Sequence, residues 1–599
     1  MTQRRFFGSA VRSCLALLLA SISPQVFATP ATPAAAVGLT TEGERSGFVR
    51  TGRYDELRPL IARFVQAYPQ AVRMEEFGVS PEGRPMLAMV VSRTGVLSAD
   101  DARRKDVPVL LVQGGIHSGE IEGKDAGFIA LRQMLDGKTA RGVLDKVVIV
   151  FVPIYNVDGH ERFRAWNRPN QNGPAQMGQR ATAQNLNLNR DYIKADAPET
   201  RAMLDLVNRW DPIVTLDIHA TDGAKFQHDA SLQMEPLHEG DPTLMRTGKQ
   251  ISDGLLAQLR KQGSKPLPFY PSLLKNDDPA SGFADNVYSP RFSTGYFQLR
   301  NRYSILLETH SWKTYAQRVE ISRNTIVDLA SMAARDGATW LRQAQAADQL
   351  ASSGAPLTVP LDFKATEKFR TIDFLGYAYT QTPSDVSGGL WTQYDDSKPQ
   401  VWKVPLYDEV VPSVSADAPS GGYIVPAAYA GSVAALLDAH GVRYERLDAA
   451  RPDAVVDVFR ATTAELAAKT FESRQRVTVT GQWAHESRDV PVGSLYVPVA
   501  QPKARLVVTL FEPLGPDSLL AWGMFNSSFQ QQEYMEAYVA EAVAREQLGD
   551  PEVAEAFRQR VASDADFAAS PRQRLAFFAK RHDSAEQALN LYPVYRVAR

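Results

Sequence analysis

Gln113-Gly-Gly-Ile-His117-Ser-Gly-Glu120-Ile-Glu-Gly-Lys-Asp125 is the stretch around which the chain is organised. An apolar run precedes it at 107–112 and an amphipathic run follows it at 126–135. That pattern predicts a strand that ends, a backbone that turns on Gly114 and Gly115, and a helix that begins. His117 and Glu120 lie three apart in the turn, and an imidazole and a carboxylate at that spacing can reach one metal ion. The pair alone recurs by chance in a chain this long, and a loop histidine is as readily a hydrogen-bonded structural residue. Its meaning depends on what the rest of the chain supplies.

The chain has 599 residues, too many for a single compact core, and the length suggests two to four domains. The composition is that of a globular protein, 44% hydrophobic and 22% charged with a net charge of -2, which gives no electrostatic case for nucleic acid as a partner. Arg4 and Arg5, the short apolar run 14–22 and Val26-Phe27-Ala28 read as an export signal over 1–28. The apolar run is shorter than the roughly 20 residues a membrane span needs, so no stable membrane insertion is expected once the signal is removed. The expected location is periplasmic or extracellular. Cys14, the one cysteine, lies inside that signal, so the mature protein has neither a disulfide nor thiolate chemistry, and any metal site must use His, Asp and Glu.

Residues 29–44 read as a low-complexity linker. From 45 to 345, apolar runs at 86–92, 107–112, 147–154, 213–218 and 304–307 alternate with helical patterns at 57–68, 123–135, 199–210, 244–262 and 319–344. This alternation predicts an α/β domain with a mixed sheet flanked by helices on both faces. Sites in such sheets collect at the carboxyl ends of strands, and His117, Asn156, His219 and Glu308 all follow or end such runs. Residues 346–359 read as a second linker. The region 360–599 reads as an α+β accessory part, with strands at 422–425, 442–447, 476–483 and 505–511 and helices at 428–440, 534–547, 551–562 and 571–579. It shows no repeat and no chemical constellation.

Three sets of residues carry the chemistry. His219 ends the run Ile213-Val-Thr-Leu-Asp-Ile218, and with His117 and Glu120 it completes two imidazoles and a carboxylate. That set leaves a fourth position open, the arrangement of hydrolytic zinc sites, in which the metal lowers the pKa of water and polarises a carbonyl. Glu308 ends Ser304-Ile-Leu-Leu307, where a charge is costly to bury, and is the candidate base; the competing reading pairs it with Arg302 or Arg318. Arg168, Asn189 and Arg190 form the third set, because the planar fork of arginine suits a carboxylate.

Glu82-Gly-Arg-Pro85, His117-x-x-Glu120, Asn156-x-Asp-Gly159, Arg168-x-Asn170, Asn189-Arg190, His219 and Glu308 occur in this order. The pattern over residues 45–345 resembles the zinc carboxypeptidase family typified by pancreatic carboxypeptidase A. The resemblance implies a mixed eight-stranded sheet sandwiched by helices and one Zn2+ per chain, held by His117, Glu120 and His219. It implies that Glu308 activates water and shuttles its proton, that Arg168 stabilises the oxyanion, and that Asn189 and Arg190 grip the terminal carboxylate. The sequence departs from the family twice. Asn187 stands where members often carry an Asp behind the first zinc histidine, so that ligand lacks a negative partner. The family's mobile tyrosine has two candidates, Tyr288 and Tyr296. His228 and His238 read as surface residues of the loop 221–240.

The activity so implied is hydrolysis of the last peptide bond of a peptide with a free C-terminus. A zinc amidase or deacylase, or a hydrolase of cell-wall peptides, is the alternative enzyme. A non-catalytic binding protein that keeps the fold is the alternative from another class.

Overall fold

The structure, a computed structural model, describes residues 38–598. The export signal read over 1–28 and the linker up to 37 lie outside the described residues. Eight strands form the central sheet: β1 (Val72–Val79), β2 (Pro85–Val91), β3 (Val109–Gly114), β4 (Val148–Val152), β5 (Val214–Thr221), β6 (Ala230–Glu235), β7 (Pro266–Leu267) and, after a short β8 (Phe283–Ala284) that joins another sheet, β9 (Tyr303–His310). Their order is β1-β2-β4-β3-β5-β9-β6-β7. The four central strands β4, β3, β5 and β9 are mutually parallel, whereas β1 and β2 run against their neighbours and β6 runs against β9 and along β7, so the sheet is mixed.

Every residue of β3, β4, β5 and β9 is buried. That explains why these strands read as continuous apolar runs rather than alternating ones: helices cover both faces. The helices are amphipathic. Tyr54–Ala67 buries Leu57, Leu60, Ile61 and Phe64, a 3–4 spacing that puts one stripe on the sheet. Glu122–Leu135 is buried nearly all round, because it packs on the sheet and is in turn covered by the long helix Tyr315–Ser352. That long helix opens on a capping box between Thr314 and Gln317.

Several expectations need correction. The linker expected over 29–44 gives way to packed structure within its described part: Leu39 is buried in the core and Thr41 caps a short helix, Glu42–Arg45. The linker expected at 346–359 is mostly helix, because an apolar stripe that includes Trp340, Ala344 and Ala347 keeps the long helix packed up to Ser352. Strand β10 (Thr358–Ala365) begins five residues beyond the C-cap Ser353. The run 505–511 is a helix, Ala504–Phe511, and not a strand. Its β-branched residues favour a strand locally, but all its residues except Arg505 are buried, and tertiary packing overrides propensity. The strand expected at 442–447 shrinks to Glu445–Arg446.

The C-terminal half shares its core with the sheet. Leu361, Tyr423, Val433, Leu506 and Phe511 belong to the same contiguous cluster as Leu60, Val112 and Leu216. Strand β10 pairs with β13 (Val410–Asp417), and β11 (Arg370–Pro383) with β12 (Leu390–Tyr407) forms a long hairpin. Strand β12 pairs in parallel with β8, so this hairpin braces the segment that leads into β9. A second hairpin, Arg451–Leu466 with Val477–Val490, belongs to a six-stranded sheet. Among the described residues no helix is long and apolar enough to cross a membrane.

Candidate active site

Strand β3 delivers the first two ligand candidates. At its end the backbone turns through Gly115, whose φ of +65° is a conformation that side chains resist. The next residues carry His117 and Glu120 over the carboxyl ends of β3 and β5. Between them, Gly119 is required by a close approach: a Cβ there would stand 2.6 Å from Arg168 Cγ and 2.9 Å from the Gly178 carbonyl. Strand β5 carries His219 and β9 carries Glu308, and the two are register partners on adjacent parallel strands.

The ligating atoms of His117, Glu120 and His219 lie within 4.8 Å of one another, and all three residues are buried. His117 Nδ1 is 3.1 Å from Glu120 Oε1, and His219 Nδ1 is 3.0 Å from Glu120 Oε2. Each imidazole presents its Nδ1 toward Glu120 and turns its Nε2 to a residue behind. His117 Nε2–H donates to Asn187 Oδ1 at 3.1 Å, which leaves Nδ1 as the lone-pair nitrogen. His219 Nε2 is 2.9 Å from Asp217 Oδ2, and that carboxylate also accepts from Gln113 Nε2 and Ser293 Oγ. His117 Nδ1 is buried without a hydrogen-bond partner. A buried nitrogen with a free lone pair is costly unless something binds it. Two imidazole nitrogens and a carboxylate are the donor set of a three-ligand zinc site, so the residues fit one Zn2+.

The electrostatics follow from burial. Burial pushes the Glu120 carboxyl up, but Arg168 and the two imidazoles outweigh it and hold the group well below the usual carboxylate range. Arg168 Nη1 is 2.9 Å and Arg180 Nη1 3.2 Å from Glu120 Oε1. Burial lowers His117 to about 4, which keeps it neutral and able to ligate. Burial also raises the Glu308 carboxyl, against the pull of His219. Its Oε2 is buried without a partner. Arg302 instead pairs with Asp211 and Asp348, and Arg318 with Glu122, so neither neutralises Glu308.

A cavity of about 580 Å³ is lined by His117 of the triad and by Glu308, Arg180, Asn189 and Arg190, with Gln233, Leu306, Asp285 and Tyr288 also on its walls. Arg190 stacks its guanidinium 4.0 Å from the centroid of the Phe292 ring. Burial, with Arg180 and Arg291 nearby, lowers Arg190 to about 10, and among the described residues no carboxylate forms an ion pair with it. Asn189 Oδ1 accepts from Ser293 N at 3.0 Å, which turns the asparagine's amide about a fixed point. Arg168 lies against Glu120 and the Ala220 carbonyl rather than on the cavity wall. Tyr288 lines the cavity, whereas Tyr296 is fully buried and its hydroxyl meets His440 Nδ1 at 2.8 Å.

Two further motifs act at one remove. Asp158 accepts from Ser80 Oγ and the Glu82 N–H and pairs with Arg84, which ties Glu82-Gly-Arg-Pro85 to Asn156-x-Asp-Gly159. Asn156 in turn donates to the Arg180 carbonyl at 3.1 Å and so fixes the segment that carries Arg180. Arg180, Tyr270 and Gln233 are cavity residues that the sequence reading missed. His228 is not a surface residue: it is buried, its Nδ1–H donates to the Lys265 carbonyl and its Nε2 accepts from Leu375 N.

Residues 57–267 match the family model described as zinc carboxypeptidase. Carboxypeptidase 2 of Trichophyton tonsurans is 30% identical over 144 residues, 23% of this chain and 23% of the relative. Carboxypeptidase 2 of Trichophyton rubrum is 26% identical over 183 residues, 30% of this chain and 31% of the relative. The chain thus spans less than a third of the length of these curated relatives. Among solved structures, the metallo-carboxypeptidase from Burkholderia cenocepacia aligns over 48% of this chain and 70% of its own at 17% identity, with a TM-score of 0.35. The matched residues hold His117, Glu120, His219, Arg168, Asn189 and Arg190, while Glu308 follows on β9. Over residues 57–267 the chain resembles the zinc carboxypeptidase family.

Proposed function

We propose that the protein is a zinc-dependent metallocarboxypeptidase that hydrolyses the last peptide bond of peptides with a free C-terminus. One observation carries this reading. Glu308, whose Oε2 is unpartnered, and His117 of the triad line the same cavity as Arg190, a half-buried arginine with no carboxylate in ion-pair reach among the described residues. A partly desolvated positive charge without a partner favours an anionic ligand, and a peptide's terminal carboxylate suits its planar fork.

A Zn2+ in the triad supplies Lewis-acid polarisation of the carbonyl and a water of lowered pKa. Glu308, raised by burial, takes the water's proton and returns it to the leaving amine. Asn189 and Arg190 hold the terminal carboxylate and fix the register of the scissile bond. Arg168, set behind Glu120, and Arg180 on the cavity wall supply positive charge for the oxyanion. An export signal over 1–28, as the sequence reads, would carry the chain out of the cytoplasm, so the reaction is proposed to run in the periplasm or outside the cell.

The test is a peptide panel with free and amidated C-termini, assayed with and without a chelator. Cleavage confined to free C-termini and abolished by the chelator is expected. Equal rates on both ends would replace this reading with an amidase or deacylase.

A further inference from the structure

The excursion that joins Leu466 to Val477 in the second hairpin ends in a tight turn. Phe471 and Arg474 exchange backbone hydrogen bonds of 2.9 and 3.0 Å, and the two residues between them, Glu472 and Ser473, have φ of +48° and +64°. A two-residue turn with both φ positive favours Asn-Gly, because left-handed backbone is costly for other residues. Such strain persists only where the surroundings over-determine it. Here they do. Arg474 pairs with Asp196, its Nε 3.0 Å from Oδ2, and the Phe471 ring stacks on Trp522 with centroids 6.0 Å apart.

The clamped turn delivers Glu472 to one atom. Its Oε2 accepts the Asn187 backbone N–H at 2.9 Å. Asn187 is the residue whose Oδ1 accepts from His117 Nε2 at 3.1 Å and from Asn189 N at 3.0 Å. One asparagine therefore holds both a metal-ligand candidate and the start of the Asn189–Arg190 pair, and a carboxylate from 285 residues further along the chain holds that asparagine.

We infer that Glu472 is a positioning residue for the metal and carboxylate sites, acting through its hydrogen bond to Asn187. The inference rests on the carboxypeptidase reading for its second site. It assigns the C-terminal half a part in the site itself. Asn187 has no charge of its own with which to hold its place, and its side chain is committed to two donors. Its carbonyl accepts from the Arg190 N–H at 2.9 Å, and Glu472 takes the backbone N–H. Replacing this partner frees Asn187 to rotate, which misaligns His117 and loosens Asn189 together.

The experiment compares E472A, E472D and E472Q with the parent full-length protein. Zinc affinity is read by competition with a chromogenic chelator, thermal midpoint is read on the apo proteins, and KM and kcat are read on a peptide with a free C-terminus. Partners behind metal ligands typically account for 10–100-fold in affinity. E472A and E472D, whose side chains are absent or one methylene too short, are expected to bind zinc about 10-fold more weakly. Their KM is expected to rise more than kcat falls. E472Q keeps an acceptor oxygen at full length and is expected to restore most of both. E472D keeps the charge on a residue tolerant of this turn, so it serves if E472A does not fold. Parental zinc affinity in E472D, or no recovery in E472Q, would overturn the inference. The zinc titration needs no substrate, so its result stands apart from whether the parent cleaves peptides.

Discussion

His219 and Glu308 face each other as register partners on the adjacent parallel strands β5 and β9. A ligand candidate and the candidate base are thus fixed by backbone hydrogen bonds rather than by loops. Rigid elements hold reacting groups more closely than loops do.

This placement predicts that Glu308→Gln preserves zinc binding and removes turnover. The amide is isosteric, leaves the triad intact and cannot accept a proton. A fall in kcat of about 10²–10⁴-fold is expected, the usual contribution of a general base. Steady-state kinetics with zinc content measured on the same sample checks it, and parental turnover would remove Glu308 from the mechanism.

Arg190→Ala is predicted to act on binding. Arg190 is half-buried and stacks on Phe292 with no carboxylate in ion-pair reach among the described residues, so its loss leaves the fold intact and takes away the partner of the terminal carboxylate. A charge-assisted hydrogen bond contributes about 1.5–3 kcal/mol, so KM on free C-termini is expected to rise about 10–100-fold. The preference for free over amidated ends should narrow in the same variant. An unchanged ratio of the two rates would place carboxylate recognition elsewhere.

Gln233 on β6 is buried on the cavity wall, and neither atom of its amide has a hydrogen-bond partner. Its register partner on β9 is Leu306, two residues from Glu308. An unpaired buried amide costs about 1–3 kcal/mol, which a ligand with matching polar atoms recovers. Peptides ending in a polar side chain are therefore expected to be preferred, and Gln233→Leu is expected to shift the preference toward Leu or Phe by about 10-fold or more. A terminal-residue profile that is the same in both proteins would exclude Gln233 from selection.

The strands that carry the site could be read from the sequence because each is buried on both faces. Residues 107–112, 213–218 and 304–307 are mostly apolar runs, and ligand and base candidates stand where the runs stop. Strands β1 and β6 were missed for the opposite reason. Strand β1 exposes Arg73, Glu75 and Glu76 at least in part, and β6 opens with Ala-Ser and closes with Gln-Met-Glu, so neither presents an apolar run. Arg180, Tyr270 and Gln233 reach the cavity through folding alone and carry no local pattern. Glu472 lay furthest out of reach. Its partner Asn187 was seen in the sequence as a residue lacking a charge, but the contact that holds it comes from a turn 285 residues away.

The last prediction concerns stability and pH. Glu239, between β6 and the helix Pro242–Lys261, is buried with Oε2 unpartnered, and burial raises its carboxyl from 4.5 to about 8 despite Arg505. In the folded chain the group keeps its proton up to about pH 8, whereas in the unfolded chain it releases it near 4.5. Between those values the folded state binds more protons, so this group's contribution is full below pH 4.5 and falls as pH rises through 8. The loss is on the order of a few kcal/mol at alkaline pH. Glu239→Gln removes the ionisation and should match the parent in thermal midpoint near pH 5. It should exceed the parent by several degrees near pH 9. Midpoints that track each other across this range would show that Glu239 ionises freely in the fold.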